Sequence, residues 1–338
     1  MGMLIEGRWV PEADRFIENG TFVRETSAFD HDLDAAVICN LEAEPGRYRL
    51  IASRSCPWSH RTLLVRAVKG LERLLPVTFA GGPRVEGYAL QDELSAKWSG
   101  IRCLCHVHQL YSLSDPGFSG RATVPLLWDT ARRRIVSNDS ARIMRALDGV
   151  NGTERYTLVP GHLAPEIDRL NRRIHEGLGN AVYRAGLAQR QDAYDEAVSD
   201  VFSTLDELED RLANQRFLFG FVVTESDWRL FATLVRFDPV YATHFRCTRR
   251  RLCEYPNLWA YARDLWRWPG VSETVDLTAI LRGYYLNDGD HNPHGIVADA
   301  PAVDWSASHD RAGLGPAHVW SEETGAAPVQ AGECGRVR

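Results

Sequence analysis

The residue best placed for chemistry is Cys56. It sits in a run from Arg47 to Arg66 in which Tyr48 to Ala52 is extended and partly apolar, and a polar turn follows. Cys56-Pro57 then opens a stretch with helical spacing of Leu63, Leu64, Ala67 and Val68. Proline is favoured in a first helical turn, where its missing N–H would be an orphan donor anyway. The spacing therefore predicts strand, turn and helix, with Cys56 at the helix start. Unpaired N–H groups and the helix dipole favour negative charge there, and a thiolate is such a charge. The bland alternative is a buried cysteine acting as a small hydrophobe. Position 59 is serine, so no Cys-x-x-Cys pair exists, and a disulfide at Cys56 needs a thiol from solution. The chemistry predicted is that of a single nucleophilic thiol.

Other clusters are weaker. Cys103, Cys105, His106 and His108 resemble a metal set, but zinc sites usually space paired ligands by two to four residues. Read as a strand, the segment puts the cysteines on one face and the histidines on the other, out of reach of one ion. No metal is expected. Gly177-x-Gly179 follows a helix rather than a strand and is no dinucleotide loop. Val124-Pro125 before the apolar Leu126 to Trp128 is by itself an ordinary strand entry. Asp139-Ser140, after Ser137-Asn138, opens a helix through Ile143, Met144 and Leu147, as an N-cap or as an anion site.

The elements that must position these residues fall into two blocks. Over residues 47–148 the order is β-α-β and then β-β-α, with strands at Tyr48–Ala52, Leu75–Phe79, Leu126–Trp128 and Ile135–Val136, the pattern of a thioredoxin-like domain. Ala80 to Ser99 is irregular, rich in glycine and charge. Residues 149–165 read as a linker, and 166–301 as a helical C-terminal domain, with Ile167 to Leu178 and Asp192 to Leu212 helical in period. Thr224 and Asp227 have capping-box spacing before a mostly apolar helix. Residues 1–46 form an extension, with a hairpin at Asn19-Gly20 and an acidic stretch from Asp30 to Asp34, expected to wrap over the first domain. Residues 302–338 read as a disordered tail.

Composition narrows the class. At 338 residues with 44% apolar residues the chain can bury two cores. The opening residues lack a basic region followed by a long apolar stretch, so no secretory signal is expected, and no run is long enough to span a membrane; the sequons at Asn19, Asn138 and Asn151 therefore read as chance. A net charge of −6 argues against nucleic acid, and the basic run Arg246 to Arg251 reads as a solvated or ion-paired helix end. Seven irregularly spaced cysteines fit a reducing cytoplasm. Only Lys69 and Lys97 are lysines among 39 basic residues, which says little about mechanism.

Cys56-Pro-Trp-Ser-His-Arg61 after a strand resembles the active-site motif of the glutathionyl-hydroquinone reductases, the Xi class of glutathione transferases. Gln109 to Asp129, Arg216 to Asp238, Tyr255 to Asp264, Trp268 to Val271, Gly283-Tyr284-Tyr285 and Asn292 to Val297 continue it, over roughly residues 20–301. The resemblance implies a thioredoxin-like domain followed by an all-helical glutathione-transferase domain, in a homodimer, with glutathione or another small thiol as co-substrate. It implies catalytic roles for Cys56, Tyr183 and Tyr284. It implies thiol or substrate contacts from Trp58, Tyr88, Arg121, Val124, Pro125, Asp139, Ser140 and Tyr285. Pro125 would be cis, Val124 would clamp the extended thiol peptide, and Asp139-Ser140 would hold its γ-glutamyl end. Tyr183 read alone is a core or capping aromatic.

Two positions depart from the family pattern: Tyr88 where tryptophan is usual, and Gly283 where histidine is usual. They raise the alternatives of a different small thiol or an unusual aromatic substrate. Two rival classes are a dehalogenating or ether-cleaving transferase and a non-catalytic binding protein on the same scaffold.

Overall fold

A computed structural model describes residues 2–11, 17–29, 33–90, 95–150, 156–288 and 291–328. The first three residues of the acidic stretch, the sequon at Asn151 and the last ten residues of the expected tail lie outside the described residues. Two units result: one of Met1–Glu18, Val23–Thr153 and Val275–Ala298, the other of Asn19–Phe22, Glu154–Thr274 and Asp299–Arg338.

The chain begins with β1 (Met3–Ile5) and β2 (Arg8–Val10), an antiparallel pair turned at Glu6 and Gly7, both at positive φ. Leu4 is fully buried and exchanges two backbone hydrogen bonds of 2.9 Å with Gly120, which lays the extension on the first unit. The short β3 (Ile17–Glu18) and β4 (Thr21–Phe22) flank Asn19 and Gly20, whose φ values of 49° and 76° are the left-handed pair an Asn-Gly turn adopts. Asp34 caps α1 (Ala35–Ala43) by accepting the Val37 N–H at 3.1 Å.

In the first unit β5 (Tyr48–Ala52) lies in the middle of a five-stranded sheet. Leu50, Ile51 and Ala52 are fully buried, as a strand covered on both faces requires. Helix α2 (Pro57–Val68) crosses over to β6 (Val77–Gly81), parallel to β5. At one edge β7 (Ala89–Leu90) pairs antiparallel with β6. After α3 (Ser95–Ser99) and α4 (Val107–Ser114), β8 (Leu126–Asp129) pairs antiparallel with β5, and β9 (Arg134–Ser137) closes the other edge. Helix α5 (Ser140–Asp148) packs on α2, and α4 packs on β9 and β1.

The segment from Cys103 to His108 is not the strand expected from its alternation. It is a turn running into α4, because the Gln109 side chain folds back on it. That side chain accepts the N–H of Cys105 at 2.7 Å and of His106 at 2.9 Å, and donates to the Cys103 carbonyl at 3.1 Å. The two histidine rings stack, with centroids 5.4 Å apart, and Trp9 stacks on His108 at 4.6 Å. His106 Nδ1 lies 3.6 Å from Glu86, so a carboxylate rather than a cysteine joins the pair.

The second unit is helical: α6 (Ala164–Ile174), a π-helical stretch His175–Gly179, α7 (Ala181–Gly186), α8 (Gln191–Leu212), α9 (Glu225–Arg236), a second π stretch Phe237–Ala242, and α10 (Pro256–Trp266). Thr224 and Asp227 make the capping box of α9, whose residues are nearly all buried. The Asp227 carboxylate also accepts the Leu218 N–H at 3.0 Å and the Tyr261 hydroxyl at 2.8 Å. Burial pushes its pKa up against the pull of these donors. The basic run Arg246 to Arg251 is loop rather than helix end, with Arg250 stacked 3.8 Å over the Tyr255 ring.

Two boundaries differ from the sequence expectation. Helix α11 (Leu277–Tyr285), expected inside the helical domain, belongs to the first unit. Arg84 and Asn287 fix it there: the Arg84 N–H donates to Asn287 Oδ1 at 2.7 Å. The expected disordered tail is ordered to residue 328, with β10 (His318–Ser321) and β11 (Gly325–Pro328) as an antiparallel hairpin. Its anchors are few and far apart, which is why composition hid them. Buried Arg311 donates to the carbonyls of Leu212 at 2.9 Å and Arg216 at 3.0 Å, Trp305 stacks on Trp266 at 5.2 Å, and the Trp320 carbonyl accepts the Thr157 N–H at 2.7 Å.

Candidate active site

The site is built on the turn between β5 and α2. Ser59 Oγ accepts the Ser53 N–H at 3.1 Å, and the Cys56 N–H donates to the Ser53 carbonyl at 3.1 Å, so the turn is closed from both ends. Cys56 is the N-cap, in extended conformation (φ −79°, ψ 123°), with Pro57 as the first helical residue. Its side chain is not used as a cap, which leaves the sulfur at the positive end of the helix. Cys56 is 8% exposed, and Sγ lies 3.4 Å from the Val124 carbonyl oxygen, to which the thiol donates.

Val124-Pro125 is cis. The segment before it is held by Tyr111, whose hydroxyl donates to the Thr123 carbonyl at 2.9 Å and accepts the Thr123 N–H at 3.1 Å. Asn138 Nδ2 donates to the same hydroxyl at 3.0 Å, while Asn138 Oδ1 accepts the Phe29 N–H, so the extension reaches this network.

Asp139 is an N-cap, accepting the N–H groups of Ala141 at 2.7 Å and Arg142 at 3.1 Å. Ser140 is buried, and its hydroxyl accepts from Arg61 Nε at 3.0 Å, which ties α2 to α5. Arg61 also lies 4.8 Å over the Trp58 ring, and Arg24 sits at the same distance from it. Tyr88 is half-buried, its carbonyl accepting the Val107 N–H at 2.9 Å. Arg121 is half-buried beside Glu25; burial raises the Glu25 pKa against the attraction of that guanidinium.

Tyr284 and Tyr285 are buried on α11 in this same unit. The first unit thus holds Cys56, Trp58, Tyr88, Arg121, Val124, Pro125, Asp139, Ser140, Tyr284 and Tyr285. Tyr183 belongs to the second unit, on α7, in an aromatic group with Phe245 at 5.3 Å, Tyr241 at 6.1 Å and Phe22 at 6.4 Å. Sequence reasoning missed Arg84 and the Arg61–Ser140 tie. An arginine in an irregular stretch of so arginine-rich a chain carries no positional signal.

Profiles for the N-terminal and C-terminal domains of glutathione S-transferase match residues 55–150 and 191–264. The chain is 40% identical to glutathionyl-hydroquinone reductase YqjG of Escherichia coli, over 92% of this chain and 98% of that protein. It is likewise 40% identical to glutathionyl-hydroquinone reductase PcpF of Sphingobium chlorophenolicum, over 89% and 97%. Among solved structures, a Xi class glutathione transferase from Natrialba magadii superposes with a TM-score of 0.80 at 37% identity, covering 93% of this chain and 97% of that one. The glutathione-bound structure of YqjG gives a TM-score of 0.75 at 40% identity, covering 79% and 89%. With its thioredoxin-like sheet, its helical second unit and these relatives, the chain belongs to the glutathionyl-hydroquinone reductases, the Xi class of glutathione transferases.

Proposed function

We propose that this protein removes glutathione from S-glutathionyl hydroquinones by way of a Cys56–glutathione disulfide. The observation that carries the reading is Cys56 at a helix start, with a backbone carbonyl at 3.4 Å on the cis-proline turn. The Cys56 thiolate attacks the conjugate's sulfur, the sulfur–sulfur bond forms as the sulfur–aryl bond breaks, and the aryl carbon takes a proton to give the free hydroquinone. A second glutathione, as thiolate, attacks the mixed disulfide, releasing oxidised glutathione and restoring Cys56.

Val124 offers its backbone to the thiol peptide, while Asp139 and Ser140 take its γ-glutamyl end with Trp58, Tyr88 and Arg121 around it. Tyr284 supplies a hydroxyl to the departing aromatic, Tyr285 adjoins it, and Tyr183 keeps the substrate-contacting role the resemblance implies. The same reading includes a homodimer and a reducing cytoplasm, in keeping with the six described cysteines all being free. No described helix is long and apolar enough to cross a membrane.

The test is turnover of S-glutathionyl-menadiol with glutathione, beside Cys56→Ala, with mass spectrometry of the trapped adduct. Loss of turnover in the variant and one glutathione on Cys56 are expected. No adduct should form on Cys247, buried in apolar surroundings that push its thiol up to about 12. Full activity in Cys56→Ala, or an adduct formed only with another thiol, overturns the reading.

A further inference from the structure

Between β6 and β7 the chain carries Arg84, half-buried, with its guanidinium turned onto the Cys56 turn. One terminal nitrogen lies 3.4 Å from Ser55 Oγ and 3.3 Å from the Gly283 carbonyl oxygen. The guanidinium carbon stands 4.5 Å from the centre of the Tyr88 ring. Asn287, which accepts the Arg84 N–H, donates to the same Gly283 carbonyl at 3.0 Å, so backbone and side chain of Arg84 are fixed to one feature of α11. A Cβ on Gly283 would meet Ser55 Cβ at 2.2 Å, so nothing separates α11 from the cysteine turn at this point.

The immediate partners of the guanidinium are a hydroxyl, a carbonyl and a ring, all neutral. The carboxylate of Asp288 also acts on it. Burial works to strip its proton, yet Tyr88, Cys56, Asp288 and Tyr284 around it hold its pKa above the ordinary arginine value. A partly desolvated cation favours whichever neighbour can become an anion. In the exchange proposed above, that neighbour is the Cys56 sulfur.

We propose that Arg84 is a positioning and charge-stabilising residue of the thiol exchange, holding the Cys56 turn against α11 while its guanidinium favours the ionised sulfur. The inference rests on the proposed role of Cys56 and adds a cation from outside the Cys-Pro helix start. It also accounts for the contact with Tyr88 and Gly283, the two places where this chain departs from the family pattern.

The test compares the parent with Arg84→Met and Arg84→Lys. The rate of iodoacetamide alkylation at Cys56 is followed from about pH 5 to about pH 11, so that the plateau is reached in every variant, with the alkylated residue identified by mass spectrometry. The expected result is alkylation about tenfold slower in Arg84→Met at pH 7, from a profile moved to higher pH, with an unchanged plateau where the thiol is fully ionised. Arg84→Lys should recover most of the rate, since it restores the charge. A purely structural arginine would instead lower the plateau and gain nothing from lysine. An Arg84→Met profile that overlays the parent's, or a lowered plateau that lysine does not rescue, overturns the inference. Glutathione capture by the parent is measured alongside. If the parent forms no Cys56–glutathione disulfide, the exchange reading fails, whereas an unshifted Arg84→Met profile with capture intact removes Arg84 alone.

Discussion

Gly283→Ala sets two effects of opposite sign against each other. Gly283 lies in the last turn of α11, where alanine should gain about 1 kcal/mol from helix propensity and reduced freedom of the unfolded chain. The added Cβ, however, would stand 2.2 Å from Ser55 Cβ and 2.5 Å from its Oγ. The obstacle is not the tip of a flexible chain: Ser55 Oγ is held by Ser53 at 3.1 Å and by Arg84 at 3.4 Å. Relief to ordinary van der Waals contact requires α11 or the turn to move by more than about 1 Å. Overpacking of that kind costs about 1–3 kcal/mol, and with a clash this close the upper part of that range outweighs the propensity gain, for a net loss of up to about 2 kcal/mol. At roughly 2–4 °C per kcal/mol for a unit of this size, thermal unfolding of the first unit should begin several degrees lower. Because Ser55 precedes Cys56, iodoacetamide alkylation should slow as well. Gly313→Ala, where an added Cβ meets nothing within 4 Å, is the control and should leave both unchanged. A Gly283→Ala protein as stable as the parent, with the same alkylation rate, would refute the claimed close approach of α11.

Asp227→Asn places an NH2 group among buried donors that now meet a carboxylate, those of Leu218, Thr224 and Tyr261. Urea unfolding should show a loss of about 2–4 kcal/mol, and a loss below about 1 kcal/mol would mean the network is not what holds the start of α9. His108 gives a pH signature. Burial first, then the neighbouring His106, lowers its pKa to about 4, with Glu86 pulling the other way. The unfolded chain, near 6.5, then binds the proton more readily, so the contribution is complete above about pH 6.5 and disappears as pH falls toward 4. Allowing for solvent access, about 1 kcal/mol should vanish across that window in the parent and not in His108→Gln; equal acid sensitivity of the two proteins would contradict it.

How legible each feature was depends on how far apart along the chain its partners lie. Cys56-Pro57 after Tyr48–Ala52 is a local pattern, and local rules for strands and helix starts put the sulfur where the structure has it. Thr224 and Asp227 likewise announce α9. The alternation around Cys103 misled, because it is a property of side-chain types, whereas the return of the Gln109 side chain onto the backbone is a hydrogen-bonding choice. The tail misled for a related reason: Trp305, Arg311 and Trp320 are single anchors in a composition otherwise typical of disorder.

By itself, then, the sequence determined that a cysteine opens the helix after β5, the order of the thioredoxin-like elements and the helical character of the second unit, since each rests on neighbours within a turn or a strand. Tertiary structure alone decided that α11 joins the first unit and that Arg84, far from it in the chain, ends against Ser55 and Gly283. That meeting depends on a glycine leaving room and a carbonyl left to accept, and neither is visible until the backbone has been folded past itself.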